Sequence, residues 1–144
     1  MKKTPVRNPV VAGQFYPSSA PGLRKQIQRF LPGKPEMREA IACMMPHAGY
    51  VYSGRVAVEV ASALIIPETV ILLGPNHTGY GKHFSIMTEG IWRTPFGDLT
   101  VNTELARGIL AGSRYLEEDA HAHEYEHSLE VELPILQYFR KDFF

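Results

Sequence analysis

Two histidines stand where apolar stretches of the sequence end, and their surroundings favour metal binding. His47 follows the apolar run at 41–45, and His77 follows the β-branched run "TVILLG" at 69–74. Proline and glycine near each histidine would restrict the backbone and let it approach a metal ion closely. Neutral imidazoles are common ligands of divalent metals. The sequence therefore predicts that His47 and His77 bind a metal. The alternative for each is a structural role, in which the ring is hydrogen-bonded within a turn.

A second pattern, from His123 to His127, reads H-E-Y-E-H and matches the zinc-peptidase motif H-E-x-x-H. In that motif two histidines one helical turn apart hold zinc, and the glutamate, here Glu124, is the general base. A third ligand is needed farther along, but no histidine follows His127, and Glu130 and Glu132 are too near in sequence to return from another helix. A zinc peptidase is thus an alternative, and a charged, capped helix is the simpler interpretation.

The elements around His47 and His77 should bring the two side chains together. "REAIACMMP" at 38–46 is short, apolar and stopped by proline, which is typical of a buried strand. A helix over 54–64 and a second buried strand at 69–74 complete a βαβ unit. Open α/β sheets bind ligands outside the carboxyl ends of their strands. We therefore expect an α/β fold with a mostly parallel central sheet flanked by helices.

Four further elements are expected outside this unit. They are a helix from Leu23 to Leu31, two strands around the turn at 94–98, a helix that Thr103 caps and that ends near Leu110, and a last helix from Glu124 to about Phe139. Ser53 should cap the helix of the βαβ unit, with Val56, Val60 and Leu64 on a shared face. Pro134 should kink or restart the last helix, because proline removes an intrahelical hydrogen bond.

Length and composition indicate one globular domain over 1–144. Hydrophobic residues make up 44% and charged residues 21%, unlike a disordered chain. Basic and acidic residues balance at 15 each, so no overall field attracts nucleic acid or an anionic membrane. Without a membrane-length apolar run or a signal-peptide region, we expect a soluble cytoplasmic protein. Cys43 is the only cysteine, which excludes an internal disulfide, and we expect it to be packed as a small apolar residue.

Five segments of the sequence resemble the Memo family, also called AmmeMemoRadiSam system protein B. They are "PVVAGQFYP" at 9–17, "PHAGYVYSG" at 46–54, "ILLGPNHTG" at 71–79, "WRTPFGDLTVN" at 92–102 and "EHSLEVELPILQY" at 126–138. They cover essentially the whole chain in the order of the family. Because these motifs are much longer than H-E-x-x-H, they outweigh it, and Glu124 is then incidental.

The resemblance implies a fold like the catalytic subunit of class III extradiol dioxygenases, which hold non-haem Fe(II). The histidine of P-H-A-G-Y is His47 and that of G-P-N-H is His77, and both are metal ligands in the family pattern. His127, in E-H-S-L-E, resembles the dioxygenase histidine that lines the substrate or oxygen pocket, with helix packing as its alternative. The implied cofactor is Fe(II), with zinc and copper as the other metals considered.

Length separates this chain from the family. Family members are longer, and their third ligand, a cysteine or a glutamate, comes from the C-terminal half. This chain resembles only the N-terminal half of such a protein, so we expect it to be truncated. Cys43 cannot take that role from the family pattern, because it lies within the strand before His47. Two imidazoles hold a divalent metal weakly, so we expect impaired activity in this chain alone. A truncated parallel sheet would also leave an unpaired edge and an apolar face.

The sequence therefore leaves three alternative functions. The first is a dioxygenase-like, iron-dependent redox protein that acts on an unknown small molecule. The second is a non-enzymatic module that binds a peptide or a partner protein, and the system name of the family points to radical SAM and AMMECR-type partners. The third is the zinc peptidase.

Overall fold

The computed structural model describes residues 4–144, so residues 1–3 of the expected domain lie outside the described range. The helices of that range are α1 (Ala20–Phe30), α2 (Arg55–Ser62), α3 (Thr103–Gly112), α4 (His121–Glu124) and α5 (Leu133–Phe139). One turn of π-helix, Tyr50–Gly54, leads directly into α2. Within residues 4–144, no helix has both the length and the apolar character needed to cross a membrane.

Short strands form two small sheets in the described part of the chain. They are β1 (Val6–Arg7), β2 (Ser85–Ile86), β3 (Ile91–Thr94), β4 (Gly97–Thr100) and β5 (Glu117–Glu118). In the first sheet β3 is central and pairs in parallel with β1 and antiparallel with β4. In the second sheet β2 and β5 pair in parallel. This combination of helices with parallel and mixed sheets confirms the expected α/β class.

Strands β3 and β4 form the hairpin that the sequence predicts around its Thr-Pro-Phe-Gly-Asp turn. Trp92 lies opposite Leu99 across the ladder, and both side chains are buried. Gly97 has a φ of 125°, a conformation that residues with a Cβ rarely adopt. The Thr94 hydroxyl donates a hydrogen bond to the Gly97 carbonyl oxygen at 3.1 Å. The hairpin therefore presents one apolar face to the core.

The core lies where α1, α2 and α5 pack together. Ser19 caps α1, because its side chain accepts a hydrogen bond from a backbone amide of the first turn. Leu23 and Ile27, about one turn apart, are fully buried on the inner face of α1. The helix begins before its expected start at Leu23 and ends at Phe30, one residue before the expected Leu31. Ile135 and Leu136 of α5 complete this apolar cluster.

Helix α2 differs from its prediction in its start and in its packed face. Ser53 lies inside the π-helical turn and its hydroxyl donates to the Ala48 carbonyl oxygen at 3.2 Å, so it does not cap α2. The buried residues of α2 include Ala57 and Ala61, whereas Val56 is exposed. The small side chains let the helix pack closely on the core, which a prediction based on bulky apolar residues missed.

The two apolar segments expected as central strands, 38–46 and 69–74, form no strand in the described chain. Their pairing is limited to an isolated bridge between Arg38 and Leu64 and a hydrogen bond from the Val70 amide to the Phe144 carbonyl oxygen at 2.9 Å. Ile41 and Leu73 are exposed instead of buried, and so is Cys43, which was expected to pack inside. A continuous apolar run becomes a buried strand only when neighbouring strands and covering layers are available. In the described chain those neighbours are absent, so the prediction of two buried strands is wrong.

The later helices are also bounded differently from their predictions. Asn102, not Thr103, caps α3, because its side chain accepts a hydrogen bond from a backbone amide of the first turn at 3.1 Å. The expected long helix from Glu124 is two helices, α4 and α5, with irregular backbone at 125–132 between them. Pro134 lies in the first turn of α5, where its missing N–H is tolerated. A helix thus starts next to Pro134, as predicted.

Candidate metal centre

Three imidazole rings follow one another along a single surface groove. The ring centres of His47 and His77 are 5.2 Å apart, and those of His77 and His127 are 4.6 Å apart with the rings only 17° from parallel. Two imidazoles that share one metal, with each nitrogen about 2.1 Å from it, place their ring centres roughly 4.6–5.3 Å apart. Both neighbouring pairs, His47–His77 and His77–His127, therefore have ring separations that fit a shared ion.

The carboxylate of Glu126 fixes the orientation of His77. Its Oε1 lies 2.8 Å from Nδ1 of His77, and its Oε2 accepts a hydrogen bond from the His77 backbone amide. Burial raises the pKa of Glu126, but hydrogen bonds from His77 and from the Ser128 amide outweigh burial and lower it to about 2. Because an ionised carboxylate only accepts hydrogen bonds, His77 must carry its proton on Nδ1. Its Nε2 is then left with a free lone pair for a metal.

Glu126 is better placed to support a metal ligand than to be one. One ligand atom each from His77, Glu126 and His127 lie within 4.8 Å of one another, a separation that a single ion could span. However, Oε1 of Glu126 also accepts hydrogen bonds from the amides of His127 and Ser128, both at 2.8 Å. Its Oε2 accepts from the amides of His77 and Thr78. These donors occupy both oxygens, so the carboxylate acts as a buried anion that joins two loops.

His127 lies against His77 and is partly shielded from solvent. Phe15 packs edge-on against its ring, with the two ring centres 4.9 Å apart. Burial lowers the pKa of His127; the negative charge of Glu126 opposes this, and the neighbouring His77 and His47 lower it further. At neutral pH the ring is therefore a neutral imidazole on the groove wall, which can accept or donate a proton.

A buried ion pair between Arg7 and Glu130 ties the N-terminal segment to the loop that carries His127. Glu130 is fully buried, and the Tyr16 hydroxyl donates a hydrogen bond to it at 2.6 Å. The backbone amides of residues 10 and 11 also donate to this carboxylate, at 2.9 and 3.1 Å. With its charge paired and its lone pairs filled, Glu130 is a structural residue.

Arg7 also holds the backbone of the same loop. Its Nη2 donates to the Glu126 carbonyl oxygen at 2.6 Å, and its Nε donates to the His123 carbonyl oxygen at 3.2 Å. The guanidinium lies 4.6 Å from the centre of the Trp92 ring. Arg7 thus holds the loop that carries His127 in place.

The loop that carries His77 is shaped by its own polar side chains and by one glycine. Asn76 accepts hydrogen bonds from the Thr78 hydroxyl at 2.9 Å and from the Gly79 amide at 3.0 Å. A Cβ on Gly74 would lie 2.8 Å from the side chains of both Ser128 and Leu129, too close for any side chain. Glycine at 74 therefore allows this loop to reach the carboxylate of Glu126.

The segment that follows His47 is held by Tyr50. The Tyr50 hydroxyl donates to the Val131 carbonyl oxygen at 2.8 Å, and the Tyr50 amide donates to the Phe15 carbonyl oxygen at 2.8 Å. The ring is buried next to that of Tyr16. Because Tyr50 lies only three residues beyond His47, these contacts fix the position of the loop from which His47 projects.

The H-E-x-x-H interpretation is wrong, because its two histidines do not share a helix. Helix α4 ends at Glu124, so His123 and His127 are not one helical turn apart on a common face. The ring of His123 packs against Trp92, with centres 6.0 Å apart, while His127 stacks on His77. Glu124 is exposed and pairs with Nδ1 of His121 at 3.2 Å. The proposed base and its zinc ligands therefore face different surroundings.

The groove continues from the histidines along residues 40–47 and 69–73. Its volume is about 1440 Å³, and its walls are mainly apolar. Glu132 lies on this groove without a hydrogen bond or ion pair to its carboxylate from any described residue. Burial raises the pKa of Glu132 to about 7. A carboxyl in such a setting is protonated much more readily than one in water.

Two residues that shape the site, Glu126 and Glu132, had no role in the sequence interpretation. Glu126 was read as a spacer within H-E-x-x-H, and its position directly before His127 in E-H-S-L-E was the signal that could have found it. Glu132 was considered only as a third zinc ligand and was rejected because it is too near in sequence to the two histidines. Its raised pKa depends on a groove that no local pattern reveals.

Comparison with known proteins identifies the family to which this chain belongs. The sequence profile of the Memo-like protein family matches residues 7–144. A MEMO1 family protein of Methanosarcina barkeri is 49% identical over 141 residues, which is 96% of this chain and 52% of the relative. MEMO1 family proteins of Methanococcoides burtonii and Aquifex aeolicus are 47% and 46% identical over 140 residues, again 96% of this chain and 52% of each relative. The chain thus spans about half the length of the curated relatives it matches.

Proposed function

We propose, from the premise that this chain belongs to the Memo family, that it supplies part of a dioxygenase-like metal centre with redox activity on a small organic molecule. His47 and His77 are the metal ligands in this proposal. The observation that carries it is the 5.2 Å separation of their rings, together with the Glu126 carboxylate that leaves Nε2 of His77 free. A carboxylate behind a ligating imidazole is the usual way in which proteins orient such a ligand.

Fe(II) is the metal we propose, with zinc and copper as the alternatives to be tested. The donor set fits, because two imidazoles are the histidine part of the 2-His-1-carboxylate arrangement that holds non-haem iron. When bound, iron would supply an open coordination position at which oxygen or substrate is activated. Since the chain spans about half the length of its relatives, a third ligand and full activity are expected only with further polypeptide.

His127 is the residue we propose to act on the substrate. Its ring stacks on His77 and lines the groove, so it is within reach of a molecule bound beside the metal ligands. A neutral imidazole at this place can take a proton from the substrate or return one. Helix packing, the alternative for His127, is disfavoured by its position in irregular backbone between α4 and α5.

Metal binding by the purified chain tests the ligand assignment. Anaerobic titration calorimetry with Fe(II), repeated with Zn(II) and Cu(II), should give stoichiometric binding to the native chain. A variant with both His47→Ala and His77→Ala should lose it. His83→Ala is the matched control, because His83 is exposed in a polar loop away from the groove. Stoichiometric iron binding in the double variant would refute the assignment.

Partner binding is a second candidate function, and the exposed apolar groove is the observation that favours it. In this proposal the groove recognises a peptide or a protein. The proposed partners are radical SAM and AMMECR-type proteins, and the proposed compartment is the cytoplasm. Purified candidates of these two classes should be retained by the immobilised chain. Equal retention by the double histidine variant would favour binding without metal chemistry, and failure of every candidate would argue against it.

A further inference from the structure

A second cavity lies beneath helix α3, and the candidate metal ligands do not line it. Its volume is about 230 Å³. Its walls come mainly from α3, from the β3–β4 hairpin, from residues 70–73 and from Phe143 and Phe144. Residues 70–73 also line the groove, but His47 and His77 line the groove alone. The two spaces can therefore hold different molecules.

The walls of this cavity are uncharged and rich in rings. None of the described residues that line it is an aspartate, a glutamate, a lysine or an arginine. Trp92, Phe143 and Phe144 contribute aromatic rings, and Leu105 and Ile109 of α3 contribute aliphatic side chains. A charged ligand would lose its hydration there without gaining a partner, whereas an aromatic ligand would pack favourably against the rings. The occupant should therefore be neutral and aromatic.

One polar group in the wall has no partner. His123 lines the cavity, and its Nε2 is buried without a hydrogen bond from any described residue. Burial lowers the pKa of His123, so its imidazole is neutral at neutral pH. A buried polar atom that makes no hydrogen bond costs free energy. A hydroxyl group on the occupant can donate or accept, so it satisfies Nε2 in either tautomer.

The size of the cavity limits the number of rings. An apolar cavity of roughly 150 Å³ is large enough to hold benzene. The cavity beneath α3, at about 230 Å³, is larger than that. It therefore has room for one ring or for two fused rings.

Helix α3 is the wall that can move to admit a ligand. Ala106 is the single buried residue among the ten of α3, whereas α2 buries four of its eight residues. Leu105, which also lines the cavity, is 36% exposed. An element with few buried apolar contacts opens at a lower free-energy cost than the core does. Entry to the cavity therefore does not require the core to unfold.

We propose that the cavity beneath α3 binds a neutral aromatic molecule of one or two rings, with a single hydroxyl group placed against Nε2 of His123. The proposal rests on the size of the cavity, on its uncharged walls and on the unpaired nitrogen. It does not depend on metal binding, so this proposal and the metal centre can each fail alone.

Titration calorimetry with 2-naphthol tests the proposal on the purified chain. Binding should be saturable at one site, and naphthalene, which lacks the hydroxyl, should bind about 3–10-fold more weakly. The fluorescence of Trp92, the only tryptophan, should change on binding because Trp92 lines the cavity. The charged 2-naphthalenesulfonate should not compete. Absence of saturable 2-naphthol binding, or equal binding of the sulfonate, would overturn the proposal.

Ala106→Leu tests the location of the ligand. Ala106 is buried in the cavity wall, so the larger side chain should occupy part of the space and lower the affinity for 2-naphthol at least about tenfold. Ala111→Leu is the matched control, because Ala111 lies on the same helix but is exposed and outside the lining. The control should bind 2-naphthol normally. Unchanged affinity in folded Ala106→Leu would place the ligand elsewhere and refute the proposal.

His123→Phe tests the hydroxyl contact and remains informative if Ala106→Leu fails to fold. It keeps a ring beside Trp92 but removes Nε2, so 2-naphthol and naphthalene should then bind with equal affinity. A persistent preference for 2-naphthol would contradict the contact. The variant with both His47→Ala and His77→Ala should bind 2-naphthol normally, since neither residue lines the cavity. Loss of binding in that variant would place the compound in the groove and overturn the proposal.

Discussion

The carboxylate of Glu126 holds Nδ1 of His77 at 2.8 Å, although the two residues are 49 positions apart in the sequence. This contact places a proton on Nδ1 of His77 and leaves its Nε2 free of the carboxylate. The same carboxylate binds the amides of His127 and Ser128, so a single anion sets the position of two histidines. The predictions below follow from this and the surrounding contacts.

Replacing Glu126 with glutamine should lower metal affinity about 10–100-fold, because the amide weakens the support of His77 without changing the size of the side chain. Anaerobic calorimetry with Fe(II) measures the effect. Glu124→Gln, at an exposed residue paired only with His121, should leave affinity unchanged. Equal affinities for the two variants would show that Glu126 does not position His77.

Replacing Arg7 with leucine should destabilise the fold by about 3–5 kcal/mol, because it leaves the buried charge of Glu130 without its partner. Urea denaturation followed by circular dichroism gives the free energy of unfolding. Arg93→Leu breaks the exposed pair between Arg93 and Asp98, which solvent screens, and should cost far less. A loss of similar size in both variants would contradict the structural role assigned to Glu130.

Glu132 should make stability depend on pH near neutrality. Its pKa is raised from 4.5 to about 7 in the folded chain, so the folded state keeps a proton that the unfolded state releases. Stability should therefore fall as pH rises from about 4.5 to about 7 and stay low above that. The neighbouring thiol of Cys43 and phenol of Tyr50 have raised pKa values and remain neutral over this range.

The test of this pH dependence is Glu132→Gln, which removes the titrating group. With allowance for the partial exposure of Glu132, the wild-type chain should lose on the order of 1–2 kcal/mol relative to the variant between pH 5 and pH 8. Urea denaturation at both pH values measures the difference. Parallel pH profiles for the two proteins would mean that the carboxyl is as well solvated as one in the unfolded chain.

Substituting alanine at two glycines should have opposite effects on stability. At Gly74 the new Cβ would meet Ser128 and Leu129 at 2.8 Å, which should cost about 1–3 kcal/mol and displace the loop of His77. At Gly108, inside α3, nothing lies within 4 Å, and alanine should stabilise by up to about 1 kcal/mol. Thermal melts should rank the proteins G108A, wild type, G74A, and any other order would contradict the packing described at Gly74.

Local sequence patterns correctly predicted those elements whose structure depends on residues close together in the sequence. The spacing of Leu23 and Ile27 predicted α1, and the Thr-Pro-Phe-Gly-Asp turn predicted the β3–β4 hairpin. Both elements form within a few residues of chain. The apolar run at 41–45 has the composition of a buried strand, but burial needs partners from elsewhere in the structure, which composition does not report.

The site was predictable only in part for a related reason. His47 and His77 were expected to meet because each was placed at the carboxyl end of a strand in one βαβ unit. The two rings do lie 5.2 Å apart, although these strands do not form in the described chain. The role of Glu126 was missed because the sequence predicted a continuous helix from Glu124 to about Phe139. The backbone leaves the helix after Glu124, and the contacts that hold it there come from Arg7, more than a hundred residues away.

The Arg7–Glu130 pair closes a loop of 123 residues, which has a consequence for how the chain folds. Contacts of such large sequence separation carry a high entropic cost and form slowly compared with helices and hairpins. The loop with Glu126 and His127 therefore reaches its final position only when both ends of the chain have met. Affinity for metal should appear in the last kinetic phase of refolding, after most helical signal has returned.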